Sequence, residues 1–345
     1  MSTERHHSIV LAARPEGEPK ESDLRLVTGE MPVPGPGEVL LRTIYLSLDP
    51  YMRGRMNAGR SYAKPVEIGA VMEAGAVSAV VQSNLAAFAP GDIVEGRTGW
   101  QSHAISNGRG LRKLDPGAAP ISTALGVLGM PGMTAYAGLL TIGQPKEGET
   151  VAVAAASGAV GQVVGQIAKL KGCRVVGIAG GARKCAYLGD ELGFDAAVDH
   201  RQPDFAAALA SACPAGIDVY FENVGGAVFA AVLPLLNDFA RVPVCGLIAH
   251  YNASGVPEGP DRLPGMMRIV LSKRLTLRGF IVSDFAAQQG DFLREVGGWL
   301  RDGRIKYRED FVDGLEQAPR AFLGLLRGEN FGKLIVRVSP DPTRI

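Results

Sequence analysis

The chain has 345 residues, 46% hydrophobic and 21% charged, a balance that suits a soluble globular protein with two domains or one elaborated domain. With 36 basic and 35 acidic residues the net charge is +1, so no global field favours nucleic acid or an anionic membrane. The start MSTERHHSIV lacks the cationic and apolar succession of a signal peptide, and Pro120 and Pro131 interrupt the one mildly apolar stretch, 118–142. Cys173, Cys185, Cys213 and Cys245 form neither a CxxC pair nor a Cys/His cluster; the expectation is a cytoplasmic protein without disulfides or structural zinc.

The first third reads as β-rich. EVLLRTIYLSL (38–48) and GAVMEAGAVSAVVQS (69–83) are apolar runs bounded by the turn sequences PVPGPGE (32–38) and FAPGD (88–92), as in a small barrel or sandwich. From about residue 125 the rhythm changes. Strands are expected at 151–156, 174–180, 196–200, 218–225, 240–248 and 275–282, with helices at 159–171, 183–193 and 203–212 between them. Such alternation predicts a doubly wound parallel α/β sheet covered on both faces. In the tail, helices are expected at 291–302 and 315–327, while 304–312 and the strand 333–339 return to the N-terminal domain. The expected domains are 1–124 with 298–345, and 125–297.

Within 159–171, Val160, Val163, Val164, Ile167 and Ala168 recur at helical spacing, with Gln162, Gln166 and Lys169 on the other face. Just before it stands the fingerprint A-x-G-x-x-G, with Ala156 in place of the first glycine, then Gly158 and Gly161. Strand, glycines, helix and second strand together point to a pyrophosphate at a helix N-terminus. The second strand ends in Ala179-Gly180-Gly181, followed by Arg183 and Lys184, with no acid before Asp190. A carboxylate there would repel a 2′-phosphate and two cations would attract it, so NADP(H) is favoured over NAD; the same two cations also suit a solvated helix face.

The segments YLSLDPYMRGRM (45–56), GMPGMTAYAGL (129–139), AASGAVGQVVGQIAKLKGCRVVG (155–177), FENVGG (221–226), CGLIAHYN (245–252) and GENFGKLIV (328–336) resemble the zinc-independent medium-chain dehydrogenase/reductases. The similarity is greatest to the branch of prostaglandin reductase, alkenal double-bond reductase and curcumin reductase. It implies a GroES-like catalytic domain, a Rossmann domain, and NADPH-dependent reduction of the C=C bond of α,β-unsaturated aldehydes or ketones. It further implies pyrophosphate contacts at Gly158, Ala159, Val160 and Gly161, and a 2′-phosphate contact at Lys184 beside Arg183. Asn223, the run Cys245, Gly246, Leu247, Ile248 to Tyr251, then Phe280, Ile281, Val282 and Asn330 would surround the ribose and nicotinamide. Where the family commonly has a tyrosine after the third strand, this chain has His200. A homodimer through the Rossmann sheet edge is likewise implied by the resemblance.

Reduction of an enone moves negative charge onto the carbonyl oxygen, so a hydrogen-bond donor is needed where the enolate forms. Tyr251, just beyond a strand end, is the first candidate and Tyr51 the second; a phenol remains protonated at neutral pH. Tyr51 also fits a half-buried core aromatic, Tyr251 a ring that only stacks on the cofactor. Asp49 and Arg53 are expected to pair across the DPYMR turn, and His103 and His250 lack partners at metal-ligand spacing. Substrate-lining residues are expected from 52–62, 250–268 and 280–288. Quinone reduction and non-catalytic NADPH binding are the rival readings.

Overall fold

The computed structural model of the chain describes residues 5–59, 61–255 and 260–344. It divides into two compact units, residues 1–125 with 309–345, and residues 126–308. The expected cut at 298 would fall inside the helix Gln289–Arg301. That helix buries Phe292 and Val296 with its own unit, where Phe292 packs 5.9 Å from Tyr136, so the division moves to 308.

The first unit is built on an antiparallel ribbon that accepts strands from the far end of the chain. Val39–Ser47 pairs with Gly75–Ser83 and His103–Ser106, and its other neighbour is Lys333–Arg337, with Ile335 opposite Ser47. Glu309–Asp313 then adds in parallel to Lys333–Arg337. Leu46, Leu48, Met52, Met56, Trp100, Phe322 and Val336 meet in one buried cluster, which fixes the short helix Met52–Arg55 against the sheet.

The second unit carries a six-stranded parallel sheet. Its order is Ala196–Asp199, Arg174–Ala179, Thr150–Val153, Ile217–Phe221, Leu236–Val244 and Thr276–Gly279. Every residue of Thr150–Val153 is buried, as a central strand with both faces covered must be. On one face Ala152, Val176, Ile178 and Tyr220 pack with Leu209, Val228 and Val232 from the intervening helices. Because all neighbours run parallel, all six carboxyl ends open on one edge, where ligands of such sheets lie.

The helix Gly161–Leu170 departs from the expected amphipathic pattern. Gln162 and Gln166 are 2% and 4% exposed rather than solvated. Gln166 donates from Nε2 to the Lys306 carbonyl and accepts from the Lys306 amide, both at 2.8 Å, while Gln162 Oε1 accepts from the Arg308 amide at 3.0 Å and the Tyr187 hydroxyl at 3.0 Å. The two amides thus satisfy backbone groups of Lys306 and Arg308, at the end of this unit. Lys169 does reach the surface, where it pairs with Asp195 at 2.9 Å.

Candidate functional site

Between the strand Thr150–Val153 and the helix Gly161–Leu170 the chain reverses in a tight turn, with Ala155 in the left-handed region at φ 49°. A Cβ on Gly161 would lie 2.4 Å from the Ala155 carbonyl oxygen and 2.7 Å from Ala156 Cα, so only glycine fits there. On Gly158 it would lie 3.1 Å from the same oxygen. Gly165 serves packing instead, since its missing side chain leaves room for the Phe194 ring, 1.9 Å from where a Cβ would sit. No side chain caps the helix at Val160, and no acidic residue stands in its first turn. The positive end of the helix is therefore not neutralised from within, as suits a bound pyrophosphate beside Gly158, Ala159, Val160 and Gly161.

At the end of the second strand, Gly181 (φ 94°) opens the helix Ala182–Asp190, whose first turn holds Arg183 and Lys184. The third strand ends at Asp199, whose Oδ1 accepts from the Gly181 amide at 2.9 Å and the Arg201 amide at 3.0 Å. These backbone bonds, above all that from Gly181, hold the Asp199 carboxyl below its ordinary value. His200 and Arg201 turn over Gly180: a Cβ there would lie 3.0 Å from His200 Nε2 and 2.8 Å from Arg201 Nε. Arg201 escaped the sequence reading, although it directly follows His200; only the closeness of two strand ends reveals it beside Gly180.

Glu222, also not singled out beforehand, organises the third rim. It is 2% exposed, and its Oε1 accepts from the Val224 amide at 2.6 Å, the Gly225 amide at 2.8 Å and the Tyr220 hydroxyl at 3.1 Å. Burial raises its carboxyl above the usual range. The turn so fixed carries Asn223, whose Nδ2 donates to the Ala154 carbonyl at 2.8 Å and whose own carbonyl accepts from the Ile248 amide at 3.3 Å. Asn223 is thereby tied both to the glycine turn and to the run 245–248. In that run the amides of Cys245 and Gly246 donate to the Glu222 carbonyl at 2.9 and 3.1 Å. The Cys245 thiol is pushed up to about 12 by burial and by Glu222, which leaves it protonated and unsuited to nucleophilic work.

Tyr251 folds back over this run. Its hydroxyl oxygen accepts from the Leu247 amide at 3.4 Å and would lie 2.9 Å from a Cβ on Gly246. Phe280 follows the last strand; its ring packs against Phe221 and Phe285, at centroid distances of 6.3 and 5.9 Å, and fills the space left by Gly138. Ile281 and Val282 continue into the 3-10 turn Val282–Gln288.

Tyr51 and Asn330 belong to the first unit. Asn330 Nδ2 donates to the Gly332 carbonyl at 2.8 Å. Tyr51 sits at the head of the helix Met52–Arg55, partly buried on the core, with the Arg55 guanidinium 5.5 Å from its ring centre. Burial and the nearby Asp49 raise its phenol well above the ordinary value, so it is a donor at any working pH. The expected Asp49–Arg53 pair does not form. Asp49 Oδ1 accepts instead from Lys333 Nζ at 2.8 Å, and the Ser47 hydroxyl donates to its other oxygen. Arg53 donates to Asn57 Oδ1 at 2.6 Å and the Gly17 carbonyl at 2.7 Å. Within one helical turn the two side chains diverge, Asp49 to the buried Lys333 and Arg53 to Asn57 and the Gly17 carbonyl. Of the segments expected to line a substrate, residues 60 and 256–259 lie outside the described residues.

Among the described residues no group of His, Cys, Asp or Glu is arranged to hold a metal ion, and no helix is long and apolar enough to cross a membrane. Residues 7–114 match the family described as the N-terminal domain of oxidoreductase, and residues 159–296 the family described as zinc-binding dehydrogenase. The chain is 57% identical to the NADPH-dependent curcumin reductase of Escherichia coli (strain K12), over 98% of each chain. It is 42% identical to the NADP(+)-dependent 2-alkenal reductase of Nicotiana tabacum, over 96% of this chain and 97% of that one. The crystal structure of CurA in complex with NADPH from Vibrio vulnificus superposes with a TM-score of 0.94 at 55% identity, covering 97% of this chain and 100% of that one. The parallel dinucleotide-type sheet and the separate β-rich sheet are thus a Rossmann domain and a GroES-like domain, and the chain belongs to the zinc-independent branch of the medium-chain dehydrogenase/reductases.

Proposed function

We propose that the protein is an NADPH-dependent reductase of the C=C bond of α,β-unsaturated aldehydes and ketones. The kinship with a curcumin reductase and a 2-alkenal reductase supports the reaction class. The observation that carries the cofactor reading is the uncapped, acid-free start of the helix Gly161–Leu170 behind a turn that admits no Cβ at Gly161. The residues present fit the cofactor: that turn takes the pyrophosphate, and the cationic end of the second strand, with Lys184 and Arg183, takes a 2′-phosphate. Asn223, Cys245 to Ile248, Phe280 to Val282 and Asn330 would hold the ribose and ring.

When bound, NADPH supplies the hydride that adds to the substrate's β-carbon. The chain's part is to orient the enone and stabilise the oxygen on which charge accumulates. Tyr251 is assigned the donor to that oxygen, with Tyr51 as the second phenol. The Tyr251 hydroxyl oxygen accepts from the Leu247 amide at 3.4 Å, and accepting that bond is compatible with donating its own proton to an enolate oxygen. Solvent or a tyrosine returns a proton to the α-carbon. Cys245, held as a neutral thiol, takes no covalent part.

We also read the protein as a homodimer through the free edge of the parallel sheet. Thr276–Gly279 is its terminal strand, and the helix before it exposes Leu263, Met267 and Leu271 at 59, 54 and 78%. Sedimentation at micromolar concentration tests this, a monomer being the contrary result.

The test of function is consumption of NADPH, followed by its near-ultraviolet absorbance, across a panel of 2-alkenals, enones and quinones. Turnover of alkenals and enones is expected. Turnover of quinones alone would replace the reading with quinone reduction, and silence across the panel would leave a dinucleotide-binding protein without catalysis.

A further inference from the structure

The loop that presents Tyr251 is laid on the 222–226 turn by backbone hydrogen bonds. The amides of Cys245 and Gly246 donate to the Glu222 carbonyl, that of Ile248 to the Asn223 carbonyl, and that of Ala249 to the Val224 carbonyl at 3.0 Å. The two segments also pack without a gap. A Cβ on Gly225 would lie 3.1 Å from both His250 Cδ2 and Leu247 Cδ2, and one on Gly226 3.3 Å from Ala249 Cβ. Both glycines stand in the left-handed region, at φ 75° and 56°. The path of the turn therefore sets the path of the loop. A carboxyl closes that turn from within. Glu222 Oε1 gathers the Val224 and Gly225 amides and the Tyr220 hydroxyl, while its Oε2, equally buried, takes no hydrogen bond among the described residues. A carboxyl buried with one oxygen unbonded costs stability, so the group is explained by what Oε1 organises rather than by the stability it adds.

We propose that Glu222 is the positioning residue of the ring end of the site: its Oε1 fixes the 222–225 turn, and through that turn the places of Asn223 and of the Tyr251 hydroxyl. The assignment rests on the reductase reading and deepens it by naming the group that sets where the phenol stands. Glu222 acts through others, since it is 2% exposed and its functional consequences pass through backbone amides. Asn223, in the same turn, ties the assembly to the glycine turn through the Ala154 carbonyl. The glycine turn is braced independently of Glu222. Its Gly158 amide donates to the Ala155 carbonyl and its Ala156 amide to the Ile178 carbonyl, both at 2.9 Å. Loss of the Glu222 acceptor therefore loosens the ring end and the phenol while the phosphate end keeps its shape. A donor displaced from the oxygen that gains charge loses most of its effect on rate, because alignment rather than presence lowers the barrier.

Titration calorimetry with NADP⁺ and with 2′,5′-ADP, which lacks the ring end, tests this without any enone, and kcat on a 2-alkenal tests it in turnover. Glu222→Ala should weaken NADP⁺ by about tenfold, leave 2′,5′-ADP within about twofold, and lower kcat by roughly ten- to a hundredfold. Glu222→Gln keeps a carbonyl oxygen at the same reach and should restore both quantities to within about threefold. In a double-variant cycle, adding Tyr251→Phe to Glu222→Ala should cost far less in kcat than Tyr251→Phe alone, because the phenol is already out of place. A lowered unfolding temperature with kcat and NADP⁺ affinity unchanged would reduce Glu222 to a packing element and overturn the proposal. Equal weakening of NADP⁺ and 2′,5′-ADP, strict additivity with Tyr251→Phe, or no recovery with Glu222→Gln would overturn it as well. Should Glu222→Ala fail to fold, Glu222→Met, which fills the space without a strong acceptor, is measured in its place. Selective loss of NADP⁺ in a protein that reduces no enone would sink the reductase reading and leave the positioning role standing; enone turnover indifferent to Glu222→Ala would do the reverse.

Discussion

Two turns of this molecule carry proposed site residues and are built on opposite principles. The turn at 154–161 is made of backbone shape: a left-handed Ala155, a glycine where a Cβ would strike a carbonyl, and no charged side chain. The turn at 49–56, which carries Tyr51, is made of buried charge. Lys333 pairs with Asp49 at 2.8 Å, with side chains 2% and 8% exposed, and Arg55 donates to Glu73 at 2.5 Å between the rings of Tyr51 and Tyr62. The first turn carries no side-chain charge and no side-chain cap on the helix that follows it. A wall that must hold one phenol still can surround it with ion pairs whose strength comes from being dry.

The contrast can be broken from either side. The largest loss is expected in the charged turn: Lys333→Ala strands Asp49 in the interior and should cost about 3–5 kcal/mol in urea unfolding. The double change Lys333→Met with Asp49→Leu should recover most of it, and a loss as large as the single variant's would mean the pair is not the support. Next comes chemistry. Tyr251→Phe should lower kcat by roughly ten- to a thousandfold with little change in NADPH affinity, and an unchanged kcat would pass the donor role to Tyr51 or solvent. On the backbone side, Gly165→Ala forces Phe194 out of place and should destabilise by about 1–3 kcal/mol, measured by thermal unfolding. The smallest effect is at the 2′-phosphate end: Lys184→Ala should weaken NADPH by about tenfold and NADH hardly at all, and equal weakening of both would remove Lys184 from that role.

The same contrast explains what the sequence disclosed. The glycine turn and the order of strands and helices were legible because their causes are local: periodicity, glycine spacing, turn residues. Even there the bounds shifted. The strand expected at 240–248 runs Leu236–Val244, because Leu236 already pairs with Ile217, ahead of a register irregularity that spans the polar Asn237 and Asp238. The charged turn was misread because its partners are remote. Asp49 meets a lysine 284 positions away, while Arg53 lies within reach on the helix and turns to Asn57 and Gly17. Gln162 and Gln166 looked solvated for the same reason, since the backbone they satisfy lies 146 and 140 positions downstream. Arg201 and Glu222 show the limit from another direction. Each is adjacent in sequence to a residue that was singled out, but its importance comes from what a neighbouring strand end or turn places beside it.

The reductase reading stands most directly on where the hydride lands. With NADPH deuterated at its transferable position and a 2-alkenal as substrate, the account predicts a saturated aldehyde carrying deuterium at the β-carbon, read by proton NMR. Deuterium at the carbonyl carbon of an unsaturated alcohol would contradict it.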